Sequence, residues 1–436
     1  MVKIMKNCNV KKLLPAIFFI VFIVLLLVFT ACTEDDKTPE DKKEATEESS
    51  DSTPTEEANE GVPGEGAISK TEDDEDDEDE TTDDEDEDED DEDENPDETK
   101  EKKPEYTYPM YETPTYYSYL TGKKCSRTKQ RKRPVSVIIN NIKNALPNVG
   151  ISNADIVYEC MVEGGITRLM MVLSDYEKVP VIGSVRSSRE YFIDLSRTHD
   201  TIYVHAGGNP QDYEQFDLRP VDRMDGVNMY FPDTFYRDAE RRKTMALEHT
   251  LMTSGAGIVK GIERQNYRTT LNPEYKGAFN FYEKFTDIGG DKNTANYICV
   301  PYSSAFKPEF IYKKEDKLYY RKQYGAAHVD GATGEQIKFE NLIVLFAEYA
   351  PFRGNAIAVK EGHWSCDITG TGYGFYITGG RYKIIKWQKE NREGMLSLYN
   401  TDNTKLFLNP GKSFICVTSK DYNKSVVINA DVRDVN

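Results

Sequence analysis

The order of apolar and polar residues divides the chain into an apolar start, a polar stretch and a patterned remainder. Residues 13–31 are uncharged and rich in Phe, Ile, Val and Leu, and four lysines precede them. A basic flank before a short apolar run is typical of a signal peptide. Residues 33–105 are so poor in apolar side chains that they cannot form a core. The folded part therefore begins after residue 105.

Short apolar runs and local stop signals predict a mixture of strands and helices in the first half of this folded part. Strands are predicted where β-branched and other apolar residues cluster, at residues 135–139, 166–173 and 201–205. Helices are predicted at residues 211–216 and at residues 243–254, the second ended by Gly255. A further helix is predicted to start at Ser152-Asn153-Ala154-Asp155, with the serine as its cap.

The second half has a different pattern, in which glycine-containing turns separate short alternating stretches. These turns fall at residues 330–331, 333–334, 370–374 and 379–380, which favours antiparallel strands. We place a boundary near residues 261–277. The predicted fold class is α+β, with a mixed, sandwich-like first domain at residues 134–265 and a smaller β-rich second domain at residues 278–420.

The residues around Cys32 indicate how the chain is attached to a membrane. Phe29-Thr30-Ala31-Cys32 is similar to a lipobox, in which Cys32 receives a lipid and residues 1–32 act as the signal peptide. An uncleaved anchor is the alternative, because the apolar run is nearly long enough to cross a hydrocarbon core of roughly 30 Å. In both cases the basic flank stays inside. The predicted location is the cell membrane, lipid-anchored and outside the cytoplasm.

Charge is distributed unevenly along the chain. Residues 33–105 hold 38 acidic and 7 basic side chains, whereas residues 106–436 hold 44 basic and 38 acidic ones. Repulsion between like charges predicts a disordered, extended acidic linker at residues 33–105. Residues 106–133 form an aromatic and then basic lead-in to the first domain.

The cysteines and histidines do not predict a metal or cofactor site. Five cysteines follow Cys32, and they are scattered without a CxxC pair or a Cys/His cluster at metal-binding spacing. Such cysteines are usually buried, although the compartment would permit a disulfide. We expect no metal, no cofactor and no nucleic-acid partner.

Ten strings of residues in the folded part are specific when they are taken together. They are Arg133-Pro134-Val135-Ser136-Val137, Ala154-Asp155-Ile156-Val157-Tyr158-Glu159, Val162-Glu163-Gly164-Gly165-Ile166-Thr167-Arg168, Gly183-Ser184-Val185-Arg186-Ser187-Ser188-Arg189, Val204-His205-Ala206-Gly207-Gly208, Tyr236-Arg237-Asp238, His249-Thr250-Leu251-Met252-Thr253-Ser254, His328-Val329-Asp330, Lys386-Trp387 and Leu408-Asn409-Pro410-Gly411. Together they resemble the YerB-like lipoprotein family. The resemblance spans residues 131 to about 418, and departs from the family at Leu247-Glu248, where relatives usually have Ala-Pro. It implies a two-part α+β fold after a lipidated signal, in a family of undetermined function.

Arginines and a double glycine in the first domain predict a cleft for an anion. Glycines permit sharp turns and close approach, and a guanidinium group suits a carboxylate or phosphate. Glu159 would share a face with Glu163 if the segment were helical. The alternative is that internal carboxylates satisfy the arginines. The predicted cleft residues are Glu159, Glu163, Gly164, Gly165, Arg168, Arg186 and Arg189.

Two histidines extend this candidate site. His205 precedes a Gly-Gly turn, and His249 is the second choice, with Asp238 as its partner. No catalytic residue is assigned, and Glu163 and His205 are the candidates; fixing a loop is the alternative role for His205. Two classes of function follow: a surface lipoprotein that binds an anionic envelope polymer or a protein partner, or an envelope hydrolase or transferase. The first is preferred because no HExxH or GxSxG motif occurs.

Overall fold

A computed structural model describes residues 114–289, 293–354 and 362–429. The predicted signal peptide, Cys32 and the predicted acidic linker lie outside these described residues. No helix in the described ranges is both long enough and apolar enough to cross a membrane.

We call residues 114–277 the first segment and residues 278–429 the second segment. The first segment contains ten strands and all five described α-helices. The strands are β1 (Tyr116–Tyr117), β2 (Lys124–Cys125), β3 (Val135–Asn140), β4 (Ile156–Met161), β5 (Thr167–Leu173), β6 (Ile182–Gly183), β7 (Ile202–His205), β8 (Arg223–Asp225), β9 (Phe235–Arg237) and β10 (Leu251–Thr253). The helices are α1 (Arg127–Arg131), α2 (Glu190–Arg197), α3 (Pro210–Leu218), α4 (Arg241–Thr244) and α5 (Gly255–Gln265).

The described part of the second segment contains strands and one 3-10 helix, Lys420–Ser425. The strands are β11 (Asn280–Phe281), β12 (Tyr297–Cys299), β13 (Glu309–Lys313), β14 (Leu318–Gln323), β15 (Ala326–Ala327), β16 (Lys338–Phe339), β17 (Asn341–Pro351), β18 (Trp364–Asp367), β19 (Gly370–Thr378), β20 (Arg381–Lys389), β21 (Ser397–Asn400), β22 (Phe407–Leu408), β23 (Ser413–Ser419) and β24 (Val427–Asn429).

One sheet of eleven strands runs through both segments. Its order is β21-β20-β19-β17-β23-β4-β5-β3-β7-β8, with β18 paired to β17. Strand β23 is parallel to both β17 and β4, and β7 is parallel to both β3 and β8. Because β5 is antiparallel to β4 and to β3, and β19 is antiparallel to β17 and to β20, seven strands share one direction. Their carboxyl ends form one edge of the sheet, here called the carboxyl edge, at Asn140, Met161, His205, Asp225, Pro351, Lys389 and Ser419.

The centre of this sheet is buried, which explains its sequence. Every residue of β3, β4, β5, β7 and β23 is buried. Strands covered on both faces carry continuous apolar runs, as these do, instead of alternating patterns. Helix α2 covers part of the sheet with Tyr191, Phe192 and Leu195. Buried apolar side chains from both segments belong to one core.

A second, six-stranded sheet comes entirely from the second segment. Its order is β15-β14-β13-β12-β24, with β16 paired to β14, and all its pairs are antiparallel. A fully buried ion pair connects it to the large sheet. Arg321 on β14 donates from Nη2 to both carboxylate oxygens of Glu159 on β4, at 2.8 and 2.9 Å.

The α+β fold class and the predicted strands are confirmed. Strands β3, β5 and β7 occupy the three predicted positions, and α3 contains the predicted helix at residues 211–216. The predicted boundary near residues 261–277 does not divide the large sheet, because β4 from the first segment pairs with β23 from the second.

Two predicted helices are wrong. At residues 152–155 the chain makes only a 3-10 turn, Ile151–Asn153, before β4. Ser152 does not cap a helix there; its hydroxyl donates to Asp330 Oδ2, and the Asp155 carboxylate accepts hydrogen bonds from the Ser174 N–H and hydroxyl. Over residues 243–254 helix α4 ends at Thr244, a 3-10 turn follows at Leu247–His249, and the chain then forms β10. Ser254 caps the next helix, α5, by accepting from the Gly257 N–H at 3.0 Å.

Candidate functional site

A glycine turn between β4 and β5 places Glu163 at the carboxyl edge. Gly164 and Gly165 have φ values of 64° and 72°, a region that glycine adopts without strain. A Cβ added to Gly165 would lie 2.9 Å from the Ser303 Cβ, so a larger residue does not fit without movement. Glycine at these positions therefore lets the turn close and point the Glu163 side chain inward.

Glu163 pairs with two buried arginines. Its Oε1 accepts from Nη2 of Arg168, and its Oε2 accepts from Nη2 of Arg189 at 2.7 Å. Burial alone would raise the pKa of Glu163, but the two guanidinium groups outweigh burial and lower it to about 2. Glu163 is therefore ionised at neutral pH.

Arg186 is the third arginine of the cluster and the one least neutralised. Its nearest carboxylate is Glu248, whose Oε1 lies 3.7 Å from Nη2 and whose side chain is 57% exposed. Its Nη1 donates to the Glu248 carbonyl at 3.2 Å, and its Nε atom is buried and has no hydrogen-bond partner. Burial, together with the positive charge of Arg189 and more weakly of Arg186, lowers the pKa of Arg168 to about 10. The three arginines thus repel one another, and Glu163 is in contact with two of them.

Arg189 is held by two groups from other parts of the fold. Its Nη2 lies 3.2 Å from the His363 Nε2, and the His363 Nδ1 lies 3.1 Å from Nδ2 of Asn209. The Nη1 atom of Arg189 lies 3.8 Å from Asp212 Oδ2. Burial raises the pKa of Asp212 to about 7, although Arg189 opposes the shift. Sequence reasoning missed both His363 and Asp212, because neither belongs to a recognisable motif.

Helix α3 begins beside this cluster. Asn209 accepts from the Asp212 N–H at 2.9 Å, and the Asp212 carboxylate accepts from the Asn209 N–H at 2.8 Å. This reciprocal capping box fixes the start of the helix. It also fixes Asp212 against Gly208, where an added Cβ would lie 2.9 Å from Oδ2.

Glu159 does not belong to the predicted cleft. Because residues 156–161 form a strand and not a helix, the four-residue spacing does not bring it beside Glu163. Its side chain is fully buried against Arg321, and it also accepts from Asn141 and Thr167 at 2.9 and 2.8 Å. Glu159 therefore belongs to the interior network that joins the two sheets.

The two predicted histidines lie beside the cluster in different settings. His205 Nδ1 is 2.9 Å from the Gly207 carbonyl oxygen, and its ring stacks on Phe216. Burial lowers the pKa of His205, with Asp225 opposing the shift. His249 Nδ1 lies 2.9 Å from Nδ2 of Asn140, and burial lowers its pKa too. Each ring is thus held mainly as a neutral group.

The predicted pairing of Asp238 with His249 does not form. The Asp238 carboxylate accepts from the Arg241 N–H at 2.8 Å, at the start of α4. Its backbone N–H donates to the Thr250 carbonyl at 2.9 Å. Asp238 therefore has a local structural role in the described fold.

Other concave and titratable features lie away from the arginines. A cavity of about 550 Å³ next to α5 is lined by Lys129, Lys132, Asp175 and Glu177, which pair with one another. In the described ranges no group of three His, Cys, Asp or Glu side chains could hold a metal ion. Cys160, Cys366 and Cys416 are buried and unpaired by disulfides.

Family models match both segments of the chain. The N-terminal domain of DUF3048, a protein of unknown function, matches residues 120–268, and its C-terminal domain matches residues 298–415. A curated relative from Bacillus subtilis (strain 168), named "Putative lipoprotein YerB", is 29% identical over 280 residues. This alignment covers 62% of the chain and 78% of the relative. The chain belongs to the YerB-like family.

A solved structure of the YerB-like family has the same fold. The crystal structure of the Bacillus subtilis YerB protein matches with a TM-score of 0.62 and 26% sequence identity. It covers 72% of the chain and 99% of the YerB chain. The matches extend over both segments, which agrees with a sheet built from both.

Proposed function

We propose that this YerB-like protein is a lipid-anchored protein outside the cytoplasm whose carboxyl edge binds an anionic component of the cell envelope. The observation that carries the proposal is the cluster of Arg168, Arg186 and Arg189, in which Glu163 pairs with Arg168 and Arg189 while the carboxylate nearest to Arg186, that of Glu248, lies 3.7 Å away. A guanidinium group without a close carboxylate partner is suited to a carboxylate or phosphate. The ligand would be a polymer or small molecule bearing such groups.

Two of the three arginines have a structural role, and the third is placed to bind a ligand. Arg168 and Arg189 are 2% and 5% exposed and share Glu163, so they hold the cluster together. The Arg186 side chain is 19% exposed, and its nearest carboxylate is screened by water. An incoming anion would therefore contact Arg186 first, with the charge of the buried pair behind it.

The anchor is supported by the sequence and by the family. The signal-like run ends at Cys32 in a lipobox-like context. The relative YerB carries the word lipoprotein in its name. A lipid on Cys32 would tether the folded part to the outer face of the membrane through the acidic residues 33–105.

Binding is preferred to catalysis on the geometry of the described residues. The recorded side-chain hydrogen bonds of Glu163 go to arginines, and that of His205 goes to a backbone carbonyl. Neither joins a hydroxyl or thiol that could act as a nucleophile. The hydrolase or transferase alternative thus gains no specific support.

The test is the affinity of full-length protein, in detergent, for inorganic polyphosphate. A hydrogen bond to a charged group contributes about 1.5 to 3 kcal/mol, so Arg186→Gln should weaken binding about tenfold or more. Its melting temperature should change little, because Arg186 lacks a close carboxylate partner and its hydrogen bond to the Glu248 carbonyl, at 3.2 Å, lies at the surface. Arg189→Gln should instead lower the melting temperature, because Glu163 and His363 lose a partner.

Arg127→Gln is the matched control. Arg127 is an exposed arginine on α1, and its substitution removes the same charge elsewhere on the surface. This variant should bind polyphosphate like the wild type. Equal affinities of Arg186→Gln and Arg127→Gln would overturn the proposed site.

A further inference from the structure

A second concave site lies at the carboxyl edge, on the other side of the Gly164–Gly165 turn. It is a cavity of about 540 Å³ at the carboxyl ends of β4, β23 and β17. Ligands commonly bind outside the carboxyl ends of parallel strands. Four aromatic side chains line it: Tyr302, Tyr349, Trp364 and Tyr422.

Two of the aromatic rings are fixed in place by their hydroxyl groups. The Tyr302 hydroxyl donates to the Glu159 carbonyl at 3.1 Å, and the Tyr349 hydroxyl donates to the Val417 carbonyl at 2.9 Å. Both hydroxyl groups are therefore occupied within the protein, and the two rings, 0% and 7% exposed, form a buried floor beneath the cavity. A floor that is already fixed does not have to be ordered when a ligand enters, which lowers the entropic cost of binding.

The other two aromatic side chains are partly exposed at the rim. Trp364 begins β18 opposite Pro351, at the end of the long strand β17. Tyr422 lies in the 3-10 helix that follows β23. Both rings are thus available to a ligand that enters from solvent.

Polar groups accompany the rings. The Ser303 Oγ accepts from the Phe306 N–H at 3.1 Å, which leaves its hydroxyl hydrogen available as a donor. Ser419 and the exposed carboxylate of Asp421 lie near the mouth of the cavity, 3.3 Å apart. Flat apolar walls with a few hydroxyl and carboxylate groups match a sugar ring, which has apolar C–H faces and hydroxyl groups around its edge.

The charges nearby argue against a cationic ligand. An aromatic cage with a carboxylate can hold an ammonium group. Here the single lining carboxylate, Asp421, is exposed to water, which screens its attraction. The arginines around Glu163 lie immediately beyond Gly164 and would repel a cation. A neutral or anionic ring fits this position better.

We infer that the aromatic cavity binds the hexose ring of a saccharide. This inference goes beyond the proposed anion site and does not depend on it, because its contacts come from different side chains. Together the two sites would suit a glycan that carries anionic groups.

The test is titration of the full-length protein, in detergent, with two neutral probes, cellotetraose and the tetramer of N-acetylglucosamine. Trp364 is one of only two tryptophans in the chain, so intrinsic fluorescence should change on binding. At least one probe should bind the wild type. Trp364→Ala should weaken that binding about tenfold or more, measured by calorimetry. Asp421→Asn, an exposed and nearly isosteric change, should weaken it while leaving the melting temperature unchanged.

Tyr373→Ala is the matched aromatic control. Tyr373 is 60% exposed and lines a separate groove of about 470 Å³ with Trp387 and Tyr399. Its loss should not change saccharide affinity, and neither should Arg186→Gln, because the probes are uncharged. If the saccharides bind but Arg186→Gln leaves the affinity for polyphosphate unchanged, the proposed anion site is contradicted and the saccharide site is not. The inference would be overturned if neither probe bound the wild type, or if saccharide affinity depended on Tyr373 and not on Trp364. It would also be overturned if choline, and not the saccharides, bound in a way that required Trp364.

Discussion

At the scale of single residues, two carboxyl groups beside Arg189, the partly buried Glu163 and the fully buried Asp212, behave in opposite ways. Glu163 has two guanidinium groups in contact, which outweigh the loss of water and hold its pKa at about 2. Asp212 has Arg189 only at 3.8 Å, so the loss of water dominates and its pKa rises to about 7. The number and distance of the charge partners decide the sign of each shift.

This difference predicts how Asp212 affects stability with pH. Since the folded state binds its proton more tightly than the unfolded state, Asp212 should reduce stability as pH rises from about 4 to 7. A shift of about three pKa units corresponds to at most about 4 kcal/mol. Asp212→Asn should therefore show a smaller loss of unfolding free energy between pH 4 and pH 7.5, measured by urea denaturation.

Glu163 titrates in a separate range and serves as the internal control. Its pKa is lower in the folded state than the usual 4.5, so its stabilising effect is present above about pH 4.5 and lost towards pH 2. Asp212→Asn should keep this acid loss. If the unfolding free energy of Asp212→Asn and that of the wild type change equally between pH 4 and pH 7.5, Asp212 is ionised in the folded protein and the prediction is wrong.

Cys32 is the residue on which the proposed anchor depends. A palmitate analogue supplied to cells should label the wild type, and Cys32→Ala should abolish labelling, because the thiol is the proposed site of lipid attachment. Cys8→Ala is the control, since Cys8 lies in the predicted signal peptide. Equal labelling of Cys32→Ala and the wild type would contradict lipidation at this position.

At the scale of elements, local patterns predict β3, β5, β7 and α3 correctly, whereas two further predicted helices are wrong. The apolar run of β3 and the Asn-Pro start of α3 carry their structure in neighbouring residues, so the sequence alone is sufficient. Ser254 shows the limit: the sequence pattern places it at the end of one helix, but it caps the beginning of the next. A serine between two apolar stretches permits both assignments.

The candidate site was predicted in part for the same reason. The strings that contain Glu163, Arg168, Arg186 and Arg189 predict one cleft; Arg168 and Arg189 do converge on Glu163, and Arg186 lies close enough to feel the charges of Glu163 and Arg189. His363 could not be found, because it approaches Arg189 from the second segment, 174 residues away along the chain. Contacts of this kind depend on strand order, which a single sequence does not specify.

At the scale of the whole molecule, the two sequence segments share one structure. Parallel pairing of β23 with β4 makes each segment part of the other's sheet. The buried pair Glu159–Arg321 joins the two sheets, and removal of one partner would leave a buried charge uncompensated. The carboxyl edge, with its arginine cluster and aromatic cavity, therefore exists only when both segments are folded together.

Hydrogen exchange of the backbone amides, with and without inorganic polyphosphate, tests the proposed anion site most directly. In full-length protein, slowed exchange is expected at residues 184–189 and 206–209, which surround Arg186 and Arg189 at the carboxyl edge. The basic residues 123–133 offer the competing site, because they carry more positive charge per residue. Protection confined to residues 123–133, with none at residues 184–189, would contradict the proposed function.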